Sequence, residues 1–248
     1  MEWIDRHAYN NRLRAMPPEQ KAGLSLLTIT LCLLLNRPLV GLLATAWMLL
    51  LALVWAGVPW RVFGAALLAQ GGFLAWGVAG VMVQVGTPAE ALWQFGPLAV
   101  TAGSWATAVL LFSRALGCAA AMNFLAFTTP LVDLIDLGRR LRIPAWLLDL
   151  ATLTYRFTFV LLESMGQMVT AQQARLGYAG WRRAMHSAAQ VAASLLVESY
   201  RRSQRLQLAL EGRGYSGDLR VLPHEYQSQR LTWPVGGLLA ASLLLVML

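Results

Sequence analysis

The residues with the clearest chemical pattern are two arginines, each one or two positions before a Gly-Tyr pair. Arg175 lies in the stretch 171–180, AQQARLGYAG, and Arg213 lies in 209–217, ALEGRGYSG. Either stretch alone is explained as a helix end, because glycine adopts positive φ without strain and arginine complements the negative end of the helix dipole. Their recurrence favours a second interpretation. Small residues before each arginine let a partner surface approach, and the guanidinium can then bind carboxylates or carbonyls.

Other residues that could support metal or phosphoryl chemistry are poorly arranged for it. Asp133 and Asp136 have the D-x-x-D spacing that can hold Mg²⁺, but Arg140 follows Asp136 at i+4, so a self-paired helix face is favoured. The only lysine, Lys21, lacks the preceding glycine of a P-loop, so we expect no ATP hydrolysis by this chain. We also expect no bound metal and no disulfide, since the histidines and cysteines are scattered: His7, His186, His224, Cys32 and Cys118.

The composition predicts that these residues are positioned by an all-α membrane protein. Hydrophobic residues make up 57% and charged residues 13% of the 248 residues, and the mean hydropathy is +0.54. Arg114 is the only charged residue in the fourth apolar run, and we expect it to extend towards the cytoplasmic end of its helix. The apolar runs predict about five transmembrane helices, of which the first is short: 22–35, 39–58, 62–85, 97–127 and 231–248.

A block of about a hundred residues between the fourth and fifth runs has a different composition. It contains thirteen arginines and eight acidic residues, so it cannot lie in lipid unaided, and its arginine excess predicts a cytoplasmic location. The basic N-terminal segment is predicted to be cytoplasmic too, and the C-terminus external. The predicted organisation is a cytoplasmic N-terminal segment, four transmembrane helices, a cytoplasmic domain of coupling helices and a C-terminal transmembrane helix, at 1–21, 22–128, 129–230 and 231–248.

Proline and glycine divide the block 129–230 into three predicted helices at about 131–141, 145–176 and 181–213. Each of the two longer helices would measure about 48 Å. Glu198 can pair with Arg201 and Arg202 on the last helix. That helix is amphipathic, with a basic face opposite one apolar or small stripe: Met185, Ala188, Ala192, Leu195, Leu196 and Ser199. Such helices are suited to contact something other than lipid.

At the two arginine stretches the sequence resembles the transmembrane T component of energy-coupling factor (ECF) transporters. The hallmark of that family is a pair of short A-R-G-type motifs at the ends of two cytoplasmic coupling helices. Within the family the chain resembles the CbiQ type, which serves cobalt uptake. The resemblance covers nearly the whole chain and includes IDRxAYxNRLR at 4–14, PPExK at 17–21, LTYRF at 153–157 and RxGYxGWRR at 175–183.

The resemblance implies that two ABC ATPase subunits dock on the cytoplasmic surface, with one motif arginine entering a groove on each. Leu176 departs from the family pattern because it separates Arg175 from its glycine, which leaves the backbone geometry there open. Gly212 departs from the family pattern too, because it stands where the family has an alanine. Glycine costs about 1 kcal/mol of stability relative to alanine in a helix. The residues implied to bind the ATPase subunits are Ala171, Ala174, Arg175, Gly177, Ala209, Gly212, Arg213 and Gly214.

The resemblance also implies a non-catalytic subunit in the plasma (inner) membrane of a bacterium, spanning it several times. Its further partners would be a metal-binding membrane S component and the lipid bilayer, and a further small membrane subunit stays open. ATP and Mg²⁺ would be bound by the ATPase subunits, and no cofactor by this chain. No nucleic acid is expected, because the arginines are spread along helices tied to a membrane. Three alternatives stay open: a nickel-specific T component, a conventional ABC importer permease, and a membrane transferase using Asp133 and Asp136.

Overall fold

The computed structural model describes residues 8–85, 91–95, 98–215, 226 and 232–246. The chain divides into two compact units, Met1–Pro130 with His224–Leu248, and Leu131–Pro223. The first unit contains α1 Pro18–Leu34, α2 Pro38–Leu50 with a π-helical turn Leu51–Trp55, α3 Trp60–Met82, α4 Ala102–Thr128 and α8 Thr232–Leu245. The second contains α5 Leu131–Arg140, α6 Ala145–Ala174 and α7 Trp181–Glu211. The predicted all-α membrane class is confirmed, whereas residues 4–7, His224 and the start of the last span lie outside the described residues.

Three short strands lie between α3 and α4, and two of them, β1 and β3, replace the ends of predicted helical spans. β1 Gln84–Val85, β2 Ala91–Phe95 and β3 Leu98–Thr101 form an antiparallel sheet in the order β1-β3-β2. The fourth predicted span therefore begins at Ala102 and not at 97. Thr101 defines this start through a capping box, because its Oγ1 accepts from the Ser104 backbone N at 3.2 Å while its own N donates to Ser104 Oγ at 3.0 Å.

Four described helices are long and apolar enough to cross a bilayer. They are α2 with its π-helical turn, α3, α4 and α6, of 18, 23, 27 and 30 residues. Of the other two predicted spans, α1 has 17 residues and α8 has 14, both shorter than the roughly 20 residues needed. The chain is thus a multi-pass membrane protein. Because α6 lies inside the block predicted to be cytoplasmic, the side of the membrane on which that block lies stays a prediction.

Close contact of small residues sets the packing of the first unit. A Cβ on Gly41 in α2 would lie 2.2 Å from the Ser113 carbonyl oxygen of α4, so only glycine lets the two backbones meet. On another side of α4, the amides of Asn123 and Gln70 exchange two hydrogen bonds of 2.8 and 3.1 Å with α3. These contacts make α4 the central helix of the unit.

The helices of the first unit alternate in direction. α1 and α8 start at the face where α2 and α4 end, which matches the alternation expected from the span count. Three contacts define this face: Lys21 Nζ to the Thr128 carbonyl at 3.0 Å, Arg12 N to the Ala56 carbonyl at 3.1 Å, and a Cβ position on Gly236 3.4 Å from Leu24.

Arg114 caps the opposite end of α1. Its Nε donates to the Cys32 carbonyl at 3.1 Å, and its Nη2 donates to the Leu33 carbonyl at 2.9 Å and to Oδ1 of Asn36. The last carbonyls of a helix lack intrahelical donors and carry partial negative charge, so a guanidinium is a fitting partner. Arg114 thus extends towards the end of α1 that lies opposite the N-terminal segment, so its predicted extension towards the cytoplasm and the predicted cytoplasmic N-terminus cannot both hold.

In the second unit, α5 packs on α6 and α7 runs back along α6. A Cβ on Gly138 of α5 would lie 2.8 Å from Leu148 of α6. The face of α7 that meets α6 is mixed, because Ser187 and Val191 are both buried and Ser164 Oγ of α6 donates to Glu198 Oε1 at 3.0 Å. By contrast, Leu196, a member of the predicted apolar stripe, is 71% exposed. The predicted pairing of Glu198 is confirmed with Arg202, at 2.9 Å.

Candidate functional site

The first arginine stretch forms the C-terminus of α6. Arg175 is the C-cap residue, and Leu176 follows with φ of 58°. The backbone N of Gly177 donates to the Gln172 carbonyl at 2.9 Å, and the N of Leu176 donates to the Gln173 carbonyl at 3.0 Å. These two hydrogen bonds, together with the left-handed conformation of Leu176, define a Schellman motif. Leu176 therefore occupies the left-handed position that glycine takes in most such motifs.

The second arginine stretch ends α7 with the same hydrogen bonds. The backbone N of Tyr215 donates to the Leu210 carbonyl and the N of Gly214 donates to the Glu211 carbonyl, both at 3.0 Å. Gly214 has φ of 71°, the left-handed conformation. This is again a Schellman motif, in which Arg213 directly precedes the left-handed residue.

The two arginines are structurally equivalent, although their distances from the Gly-Tyr pair differ. When the helix ends are aligned by hydrogen bonding, Arg175 corresponds to Arg213, and Leu176 corresponds to Gly214. The inserted Leu176 thus leaves the position of Arg175 relative to its helix unchanged. The arrangement places a leucine in a conformation that costs about 1–2 kcal/mol in non-glycine residues. The extra residue is therefore accommodated by the left-handed backbone of Leu176, and the helix before it is unchanged.

Gly177 is required for a close contact between the first helix end and α7. A Cβ at this position would lie 2.4 Å from Ser187 Oγ and 2.9 Å from the Gln172 carbonyl oxygen. Ser187 is buried, and its hydroxyl donates to the Gly177 carbonyl at 3.0 Å. Gly212 is different, because a Cβ there would meet its nearest neighbour, the Leu208 carbonyl oxygen, at 3.4 Å. Gly177 is therefore needed for the close packing against α7, whereas Gly212 makes no such contact.

The two motifs lie at opposite ends of an antiparallel helical pair. At the Arg175 end, Gln172 Nε2 donates to Gln190 Oε1 at 3.1 Å, and at the Arg213 end the Tyr215 hydroxyl donates to Asp149 Oδ2 at 2.9 Å. The 31 residues of α7 between them span about 46 Å. Seven of the eight predicted ATPase-binding residues are exposed, and Gly177 is half-buried. Neither guanidinium has a hydrogen bond or salt bridge to any described residue.

The remaining candidates do not assemble into a site. Asp136 pairs with Arg140 at 3.3 Å, as predicted, whereas Asp133 is buried. Exposed His186 contacts the Gln190 amide at 3.1 Å. Within the described residues no three His, Cys, Asp or Glu side chains are grouped as metal ligands, and Cys32 and Cys118 are free thiols. His7 and His224 lie outside the described residues.

Sequence reasoning gave no role to Asn11 and Lys21, which cap the end of α4. Lys21 is fully buried and donates to the Thr128 carbonyl at 3.0 Å, and the Asn11 amide donates to the same carbonyl at 3.2 Å. The sequence does contain a signal for Lys21, which is the only lysine and directly precedes a long apolar run. A lysine in such a place needs a polar partner if it is buried, because lysine is almost never fully buried unless paired. Together they fix the last turn of α4, directly before the second unit begins.

The chain is similar in sequence to known cobalt transport proteins. Residues 10–225 match the family model of the cobalt transport protein CbiQ. The cobalt transport protein CbiQ of Rhodobacter capsulatus is 37% identical over 219 residues, covering 88% of this chain and 86% of the relative. CbiQ of Salmonella typhimurium is 29% identical over 234 residues, covering 89% of this chain and all of the relative. A protein of Methanocorpusculum labreanum named as a fused cobalt transport protein, CbiMQ, is 27% identical over 232 residues, covering 90% of this chain and 38% of the relative.

The helical fold and the two matched arginine motifs define a multi-pass membrane protein with a helical unit whose ends present arginines that have no partner among the described residues. With the matches above, the chain belongs to the CbiQ family of cobalt transport proteins, and the resemblance found in the sequence is confirmed. Its class is that of a membrane component of cobalt transport.

Proposed function

We propose that this chain is the transmembrane coupling (T) subunit of an ECF-type ABC importer for cobalt. It transmits the ATP-driven motion of two ATPase subunits to a separate metal-binding membrane subunit. The chain itself is non-catalytic, and ATP and Mg²⁺ bind on the ATPase subunits. The observation that carries this proposal is the equivalence of Arg175 and Arg213, two exposed arginines without described partners at the same position of two helix ends.

The separation of the two arginines supports docking on two subunits. A span of about 46 Å along α7 is longer than a single side-chain groove, so one ATPase subunit could not bind both motifs in one groove. Two copies of one ATPase offer two equivalent grooves, and two equivalent helix ends fit them. In this role α6 and α7 act as levers whose ends are held by the arginines Arg175 and Arg213.

The fused relative supports a second membrane partner. The match covers 38% of that relative, so most of its length lies outside the part related to this chain, and its name joins a CbiM part to CbiQ. A separate metal-binding membrane subunit of this kind would supply the cobalt site. It would act in the inner membrane, with the N-terminus of this chain in the cytoplasm.

The proposal is tested by the composition of the purified transporter. A T subunit should be present in one copy for two ATPase subunits, whereas a conventional permease would be present in two. We expect native mass spectrometry of the detergent-solubilised complex to give one copy of this chain. A complex with two copies, or a chain that purifies without any ATPase, would contradict the coupling function.

A further inference from the structure

The Arg175 end of the helical pair forms an open surface cavity that the motif alone does not explain. The cavity has a volume of about 460 Å³ and lies between the last turn of α6 and the first turns of α7. Its lining contains three arginines, Arg175, Arg182 and Arg183, together with polar Gln172 and Ser187. Arg182 and Arg183 are exposed, like Arg175.

The three guanidinium groups carry charge that nothing in the described structure balances. None of them has a hydrogen bond or salt bridge to a described residue. The stretch 171–190 contains these three arginines and no acidic residue. The corresponding stretch at the other helix end, 209–228, contains two arginines and three acidic residues and is therefore not basic. The two ends share a backbone geometry but differ in charge.

Two exposed apolar residues belong to the same stretch of chain, and one of them, Leu176, also lines the cavity. Leu176 is 69% exposed and Trp181 is 79% exposed, and each is adjacent in sequence to an arginine of the cavity. Large apolar residues beside arginines are typical of protein interfaces, where aromatic residues and arginine are enriched. A partner that matched this surface would offer carboxylates opposite the arginines and an apolar contact beside them.

We propose that Arg182 and Arg183 extend the first motif into a binding surface for an acidic patch on one ATPase subunit. This inference rests on the proposed coupling function. The Arg175 end then binds its ATPase subunit more strongly, and with a steeper salt dependence, than the Arg213 end binds the other. Because the two ATPase subunits would be copies of one chain, the difference in binding strength between the two ends comes from the T subunit.

The expected effect follows from ordinary surface electrostatics. Each exposed arginine–carboxylate pair contributes about 1.4- to 5-fold in affinity, so removing two should weaken ATPase binding by about 2- to 30-fold at low salt. The effect should fade at high salt, because the Debye length falls from about 10 Å at 0.1 M to about 3 Å at 1 M. Lysine should substitute well at these two positions, since an exposed contact needs charge more than a planar fork.

The test uses the full chain in nanodiscs of uncharged phosphatidylcholine, titrated with the ATPase subunit at about 50 mM and 500 mM KCl. The variant Arg182→Gln/Arg183→Gln should bind about 2- to 30-fold more weakly at low salt and converge with the wild type at high salt. Arg182→Lys/Arg183→Lys should bind within about twofold of wild type. The matched control, Arg201→Gln/Arg205→Gln, removes the same charge from exposed positions about 27–35 Å further along α7 and should weaken ATPase binding much less than Arg182→Gln/Arg183→Gln does.

Equal binding by wild type and Arg182→Gln/Arg183→Gln at low salt would overturn the inference. A difference that appeared only in discs containing anionic phosphatidylglycerol would also overturn it, because the arginines would then bind lipid headgroups. If the wild type bound no ATPase under any condition, the coupling function itself would fail. That result differs from a wild type that binds tightly without any contribution from Arg182 and Arg183.

Discussion

The hydroxyl of Tyr215 donates a hydrogen bond to Oδ2 of Asp149 at 2.9 Å and so ties the end of α7 to the first turns of α6. Asp149 is 4% exposed, and Tyr215 directly follows the left-handed residue of the second arginine motif. The contact therefore fixes the direction in which α7 ends, and with it the position of Arg213 relative to α6.

Tyr215→Phe should lower the stability of the chain, because a hydrogen bond to a charged group contributes about 1.5–3 kcal/mol. Thermal unfolding of Tyr215→Phe, Asp149→Ala and the double variant in detergent gives a coupling energy, which we expect to reach at least about 1 kcal/mol. Tyr200→Phe removes a hydroxyl from an exposed tyrosine on the same helix and should leave stability unchanged. Additive effects of the two substitutions would show that the hydrogen bond contributes nothing.

Arg175→Ala and Arg213→Ala distinguish a docking role from helix capping. As caps, the arginines contribute about 0.3–1 kcal/mol of local stability, and assembly would persist without either. As partly desolvated anchors, each should cost roughly 2–5 kcal/mol of ATPase binding when removed, about thirty- to several-thousand-fold in affinity. Pull-down of the ATPase from the single and double variants measures this loss. Lysine at either position should rescue poorly, because it offers a point charge and not a planar fork.

The double variant Arg175→Ala/Arg213→Ala should lose its ATPase subunits while the membrane part stays folded and keeps its metal-binding partner. Retention of that membrane partner is the internal control for folding. Undiminished ATPase recovery together with normal transport would leave only the capping role for both arginines.

Gly177→Ala and Gly212→Ala should have opposite effects on stability. An alanine at Gly177 would place its Cβ 2.9 Å from a backbone carbonyl oxygen, so the helix end must shift, at about 1–3 kcal/mol. An alanine at Gly212 meets only ordinary contacts and should stabilise the chain by up to about 1 kcal/mol. Unfolding temperatures of the two variants, measured side by side, test the difference. A Gly177→Ala variant with the unfolding temperature of the wild type would contradict the close contact with Ser187.

The topology prediction follows from charge distribution and from the alternating helix directions. The N-terminus should be cytoplasmic and the C-terminus external, because α8 starts at the face where α1 starts. A reporter that is active only in the cytoplasm should be silent when fused after Leu248 and active when fused after Gly180. Strong activity at Leu248 would mean that the number of crossings is wrong by one, because the 17-residue α1 does not cross or because α6 does.

The chain by itself should bind Co²⁺ or Ni²⁺ no more tightly than about micromolar, roughly −8 kcal/mol. The reason is the scattered arrangement of its histidines, since these ions need clustered imidazole or thiolate ligands. Calorimetric titration of the purified chain measures the affinity directly. A tight one-to-one site that survives His7→Ala would contradict the prediction that the metal is held by another subunit.

The sequence predicted the parts of this protein that depend on composition and on local chain preferences. Long apolar runs have one stable arrangement in lipid, which is helical, and so the membrane class and the positions of α2, α3 and α4 followed from the sequence. The i+4 pairs of Arg140 with Asp136 and of Arg202 with Glu198 followed from helical spacing alone. The strands between α3 and α4 were missed, because short apolar segments suit a strand and a helix equally well.

Only the tertiary structure decided which groups meet across the fold. Helical periodicity places residues on given faces of α7, but it does not reveal that Ser187 and Val191 are buried while Leu196 of the predicted apolar stripe stays exposed. The equivalence of Arg175 and Arg213 could not be deduced from their unequal spacing to glycine, because it depends on the left-handed backbone of Leu176. The charges of Lys21 and Arg114 were visible in the sequence, whereas the helix-end carbonyls that they bind are brought to them by folding.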